Sequence, residues 1–202
     1  MTTTISGTAG VTFPAGGLGN PAGAVVGTTD TQTLTNKTLS TGLVMGVSAI
    51  TSGTAVASTS GTSIDFTSIP SWVKRITVMF NGVSTSGTSN LLIQIGSGSV
   101  TTSGYLGFVF CTTTNRGAYS IGYLLTALVA ADSLLSSNIT LALVGSNTWV
   151  QSSVITDYSA SVLNANSSSG KLALGGTLDR VRITTANGTD TFDAGSVNIL
   201  YE

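Results

Sequence analysis

From Gly61 onward the chain alternates apolar and polar residues in short runs broken by turn signals, the period-2 signature of half-buried strands. Ile64 and Phe66 alternate with polar neighbours. After Ile69-Pro70-Ser71, the run VKRITVMF sets Ile76, Val78 and Phe80 on one face and Arg75, Thr77 and Met79 on the other. Leu91, Ile93 and Ile95 repeat the alternation, as do Leu106, Phe108 and Phe110. NITLALV and TWVQSSVI, joined through Gly145-Ser146-Asn147, read as a hairpin. TLDRVRITT and TDTFDAGSVNILY read as a second one, because Asn187-Gly188 suits a two-residue turn whose residues both need φ > 0. The best helical stretch is ADSLLSS (Ala131–Ser137), a single turn at most, and Trp72 beside Pro70 is expected to cap one end of the domain. The pattern predicts an all-β protein, with residues 61–202 forming one antiparallel β-sandwich of jelly-roll-like form.

Residues 1–60 lack this rhythm and read as an extended arm. VTFPAGGLGNPAGAVVG carries Pro14 and Pro21 among several glycines, which disfavours a continuous helix or a central strand. In TDTQTLTNKTL (Thr29–Leu39) only Leu34 and Leu39 are large and apolar. Such a tract cannot bury enough apolar surface to offset its ordering entropy, so it needs a neighbour: another copy of the chain or a larger assembly. Thr41–Ser60 has scattered small apolar residues, compatible with short strands or with a linker.

Composition narrows the function more than the fold. Charged residues make up 7% of the 202, with a net charge of −1, so surface polarity comes from hydroxyls and amides. The few close basic pairs, Lys74–Arg75 and Arg180/Arg182, sit inside strand-like runs, and nucleic acid is an unexpected partner. No apolar h-region follows a basic start and no apolar run approaches a membrane span, so neither Sec export nor membrane insertion is expected. The Asn-X-Ser/Thr triplets at Asn36, Asn138, Asn166 and Asn187 read as coincidence at this Ser/Thr content. The lone Cys111 excludes an intrachain disulfide and reads as a buried thiol.

The chain has no histidine, which removes Ser–His–Asp, Cys–His and His-metal chemistry. No Gly-rich loop carries the Lys-Ser/Thr ending of a phosphate cradle. Asp179 beside Arg180 reads as a surface ion pair, and Asp190 and Asp193 as turn residues whose spacing matches no calcium loop. No enzyme, cofactor or metal is expected. Binding is more open. Trp149 and Tyr158 lie close in sequence to Asp157, and TTTNRGAYSIGY offers Asn115, Arg116 and Tyr119 around a turn. These residues are the candidate host-surface contacts, because a sugar face stacks on an exposed aromatic flanked by amides and carboxylates. The competing reading of Trp149 is core or subunit contact.

AGVTFPAGGLGNPAG followed by TTDTQTLTNKTLS resembles the repetitive extended regions of bacteriophage tail-fibre proteins. GTSIDFTSIPSWVKRITVMFNGVSTSGTSNLLIQIGSGS and the ending GGTLDRVRITTANGTDTFDAGSVNILYE resemble a β-sandwich module at the distal end of phage fibre-type virion proteins. Residues 105–172 lie outside the resemblance. It implies a homotrimeric short tail fibre, made in the bacterial host cytoplasm and carried on the virion. Residues 1–60 would bind other virion proteins, and the β-domain would contact a host cell-surface glycan or protein. Phe13, Leu34, Leu39, Leu43 and Met45 would then supply the trimer or anchor contacts. The alternative within this resemblance is a capsid decoration (cement or head-fibre) protein. A polysaccharide-degrading tailspike comes third, disfavoured by the missing histidine and the lack of obvious paired carboxylates.

Overall fold

A computed structural model describes residues 5–6, 10–11, 50–112, 116–127, 129–160 and 163–202. The chain divides into two units, Met1–Gly46 and Val47–Glu202. In the first, β1 (Ile5–Ser6) pairs antiparallel with β2 (Gly10–Val11). The anchor candidates Phe13, Leu34, Leu39, Leu43 and Met45 lie outside the described residues.

The second unit is all-β, with two antiparallel sheets and no helix among the described residues. Its strands are β3 (Thr51–Ser52), β4 (Val56–Ala57), β5 (Ser63–Phe66), β6 (Arg75–Thr85), β7 (Leu91–Ser97), β8 (Ser99–Val100) and β9 (Leu106–Cys111). They continue as β10 (Arg116–Tyr119), β11 (Tyr123–Leu124), β12 (Leu134–Gly145), β13 (Thr148–Tyr158), β14 (Leu163–Ala173), β15 (Arg180–Thr185) and β16 (Phe192–Tyr201). The large sheet runs β10-β9-β14-β13-β12-β6-β16-β3, with β4 also on β16; the small sheet runs β11-β7-β15-β5, with β8 on β7.

Period-2 alternation places one side chain in two on the shared inner face. Ile76, Val78 and Phe80 of β6 and Ile139 and Leu141 of β12 meet Ile93, Ile95, Val181 and Ile183 of the small sheet in one buried cluster. Each fully buried branched side chain contributes about 1.5–3 kcal/mol, and this cluster fastens the sheets face to face in a sandwich-like pair.

The predicted β12–β13 hairpin is present, turning through Ser146 and Asn147, whose φ values of 46° and 58° suit a right-twisted hairpin. The predicted Asn187-Gly188 hairpin is not. β15 pairs with β5 and β7 in the small sheet, while β16 pairs with β6, β3 and β4 in the large one. The turn carries the chain between sheets, and of its two residues only Gly188 has positive φ, 69°. Asn187 Oδ1 holds it by accepting from Thr185 Oγ1 and from the Thr189 and Asp190 amides.

The helical candidate fails for a related reason. Ala131 and Asp132 turn, and the chain enters β12 with Leu134 facing out and Leu135 buried, so the two leucines take opposite faces of a strand. Trp72 does not cap the core; it is half exposed and tilts against Tyr201 with ring centroids 5.8 Å apart. Because β3 and β4 pair with β16, the large sheet reaches back to Thr51, ahead of the expected boundary at residue 61.

Candidate interaction surface

The chemistry of the outer surface starts from a packing demand inside. Gly107 of β9 lies opposite Gly170 of β14. A Cβ at Gly170 would come within 3.0 Å of the Tyr123 ring and 3.1 Å of the Gly107 Cα. The missing side chain at Gly170 leaves room for Tyr123, which meets Tyr105 edge to face with centroids 4.9 Å apart. Tyr123 donates its hydroxyl to the Trp149 carbonyl at 2.9 Å. The Tyr105 hydroxyl accepts from the Ile95 amide at 2.7 Å and donates to the Thr101 carbonyl at 3.0 Å. Burial pushes both phenols well above their usual range, so both remain donors.

With Gly107, Val109 and Cys111 taking the inner side of β9, its large residues are forced outward. Leu106, Phe108 and Phe110 are 64%, 47% and 48% exposed. The run shows the same alternation as β7, yet its bulky side chains face water. The neighbouring strands extend the patch. On β14, Lys171, Ser169 and Ser167 lie opposite Leu106, Phe108 and Phe110. On β13, Val150, Ser152 and Val154 come next in the same rows. Further along, exposed Leu163, Tyr158 and Leu134 are partners across β14, β13 and β12. Lys171 is the one charged side chain described on the outer face of β9, β13 and β14. A continuous apolar and hydroxyl face this poor in charge marks a contact surface.

The residues expected to meet a host do not gather there. Asn115 lies outside the described residues, and Arg116 opens β10 opposite Phe110. Tyr119, at the end of β10, is partly buried against the small cluster of Leu92, Val109 and Leu124. Trp149 and Asp157 are buried, so neither is a surface contact. β13 alternates strictly, and both residues fall on its inward side, whereas Tyr158 falls on the outward side and is 61% exposed. Trp149 and Tyr158 therefore cannot form one platform. Sequence reasoning missed the outward aromatics of β9; the available signal was Gly107 between Leu106 and Phe108, with a second glycine at Gly170.

Asp157 belongs to a polar pocket of the interior. Gln151 Nε2 donates to the Ser153 and Ser168 hydroxyls at 3.0 Å each, and those hydroxyls bond each other at 2.8 Å. Asn166 Oδ1 accepts from the Ala127 amide at 3.0 Å, and Asn164 Oδ1 from Thr112 Oγ1 at 3.3 Å. Asp157 stands opposite Asn164 in register. Neither carboxylate oxygen of Asp157 has a hydrogen-bond partner, nor does Nδ2 of Asn164 or Asn166. Burial raises the Asp157 pKa, the nearby Ser133 hydroxyl offsets part of that, and the Asp132 charge adds to it.

The other acidic residues are engaged locally. Asp179 pairs with Arg180 at 2.7 Å, and that guanidinium together with the Gly98 amide holds its carboxyl below the usual range. Asp190 accepts from the Ser89 amide at 3.0 Å and from Asn187 Nδ2 at 2.6 Å, which assigns it to the turn. Among the described residues there is no cluster of three metal-ligating side chains. No protein-family model, curated protein or solved structure matches the chain.

Proposed function

We propose that the protein is a phage virion structural component, a short trimeric tail fibre whose N-terminal arm attaches to the particle and whose β-domain contacts the host surface. The observation that carries a binding rather than a catalytic reading is the apolar, charge-poor face built on Leu106, Phe108 and Phe110. The arm tract TDTQTLTNKTL and the two ends of the β-domain supply the phage context through their resemblance to fibre proteins. Repeated passage of the chain between the two sheets is compatible with the jelly-roll form expected of such modules. The partners in this reading are two further copies, other virion proteins and a host cell-surface glycan or protein.

The test is made on phage. Particles encoding the chain without residues 1–46 should lack the protein, while the intact purified chain should bind host cells. Normal incorporation of the truncated chain would remove the anchor assignment. Absence of cell binding, together with heads that become fragile without the protein, would replace the fibre by a capsid decoration protein.

A further inference from the structure

We infer that the outer face of β9, β14 and β13 is where a second copy of this chain docks, with Leu106, Phe108 and Phe110 as its apolar ridge. The inference rests on the trimeric reading above and specifies the surface that trimer would use. Three observations identify the occupant.

The first is area. The ridge, with Val150 and Val154 beside it and Leu134, Tyr158 and Leu163 along the same face, holds on the order of 700 Å² of exposed apolar side chain, close to the ~800 Å² each partner contributes to a stable interface. A lone domain seldom leaves that much in water.

The second is charge. Lys171 is the one charge described on this face, so a nucleic acid or an acidic polysaccharide would find little to steer it. Around a three-fold axis the same face of each copy can converge, and a single lysine per copy leaves little repulsion to oppose it.

The third is the polar filling. Ser167, Ser169 and Ser152 lie between the apolar rows, at the register positions opposite Phe110, Phe108 and Ser169. Hydroxyls can donate and accept, so a copy bringing the same groups can satisfy them, which an aliphatic surface such as a bilayer cannot.

The experiment uses the full chain. Its mass is measured by analytical ultracentrifugation, and Ser169→Cys, in the middle of the face, is titrated with a maleimide alongside Thr67→Cys, an exposed position away from it. The native Cys111 is buried and should stay silent. The expected result is a trimeric mass with Ser169→Cys reacting at least tenfold more slowly than Thr67→Cys. A trimer in which both thiols react equally fast would overturn the assignment of this face and leave the trimer standing. A monomeric mass would overturn both. Phe108→Glu supplies the converse reading: a threefold drop in mass with an unchanged far-UV spectrum is expected. A variant that folds and stays trimeric would count against the ridge.

Discussion

The two outer faces of the sandwich are built from the same alternating pattern but finish their chemistry differently. On the small sheet the long polar side chains find partners within the chain. Arg182 grips Asp65 through two bonds of 2.7 and 3.2 Å, Gln94 Nε2 donates to the Ile121 carbonyl at 2.9 Å, and Thr184 donates to the Thr62 carbonyl at 2.8 Å. On the large sheet the outward residues of β9 are aromatic and aliphatic, and nothing within the described chain covers them. One face closes on itself through polar contacts and the other leaves apolar side chains exposed. The difference teaches that an apolar alternation marks a strand with a sticky side, while what occupies the opposite side decides which way that side points.

That lesson can be broken most directly at the core. Ile93→Ala on β7, where the alternation points inward, should lower unfolding stability by about 4 kcal/mol in urea titration. Phe108→Ala on β9 should cost well under half as much under conditions where the chain is monomeric. Equal losses would mean that the two strands share a buried side and that the contrast is false.

Gly170→Val tests why β9 faces outward. Its Cβ would press on the Tyr123 ring and the Gly107 backbone, so a loss of about 3 kcal/mol is expected from overpacking. A neutral outcome would remove the account in which the tyrosine pair displaces bulky residues to the surface.

The polar pocket gives a smaller, pH-dependent effect. The folded state holds the Asp157 proton more tightly than the unfolded chain does, because burial raises its pKa. Its stabilising contribution is therefore full below the unfolded carboxylate pKa, near 4, and is lost as pH rises through the raised folded value. Asp157→Asn should flatten that decline and raise the urea midpoint at neutral pH, with little change at pH 3. An unaltered pH profile would show that the carboxylate is compensated. The smallest effect belongs to the small sheet's outer face: Arg182→Ala should cost about 0.5 kcal/mol, reduced further by salt, since both partners are partly exposed. A loss several times larger would make that ion pair a structural element.

Much of the fold was legible because its physics is local. The alternation in β5, β6 and β7 located the core residues Ile64, Phe66, Ile76, Val78, Phe80 and Ile93, and the residues between β12 and β13 marked a true hairpin. The candidate site was far less legible. Trp149 and Asp157 looked available beside Tyr158, but strand parity puts both inside. The β15–β16 connection carried a hairpin's turn residues, and still its strands went to different sheets, because hairpin pairing requires the flanking strands to be neighbours and Asn-Gly only requires a turn.

The sequence by itself determined an all-β domain of alternating strands and a polarity that comes from hydroxyls and amides more than from charge. These follow from side-chain period and composition, which no tertiary contact alters. Only the tertiary structure decided that Leu106, Phe108 and Phe110 face water while Leu91, Ile93 and Ile95 face the core. The physical reason lies between distant residues: the Tyr123 ring, packed on Tyr105, takes the space above Gly170, and β9 beside it presents Gly107, Val109 and Cys111 inward and its large side chains outward.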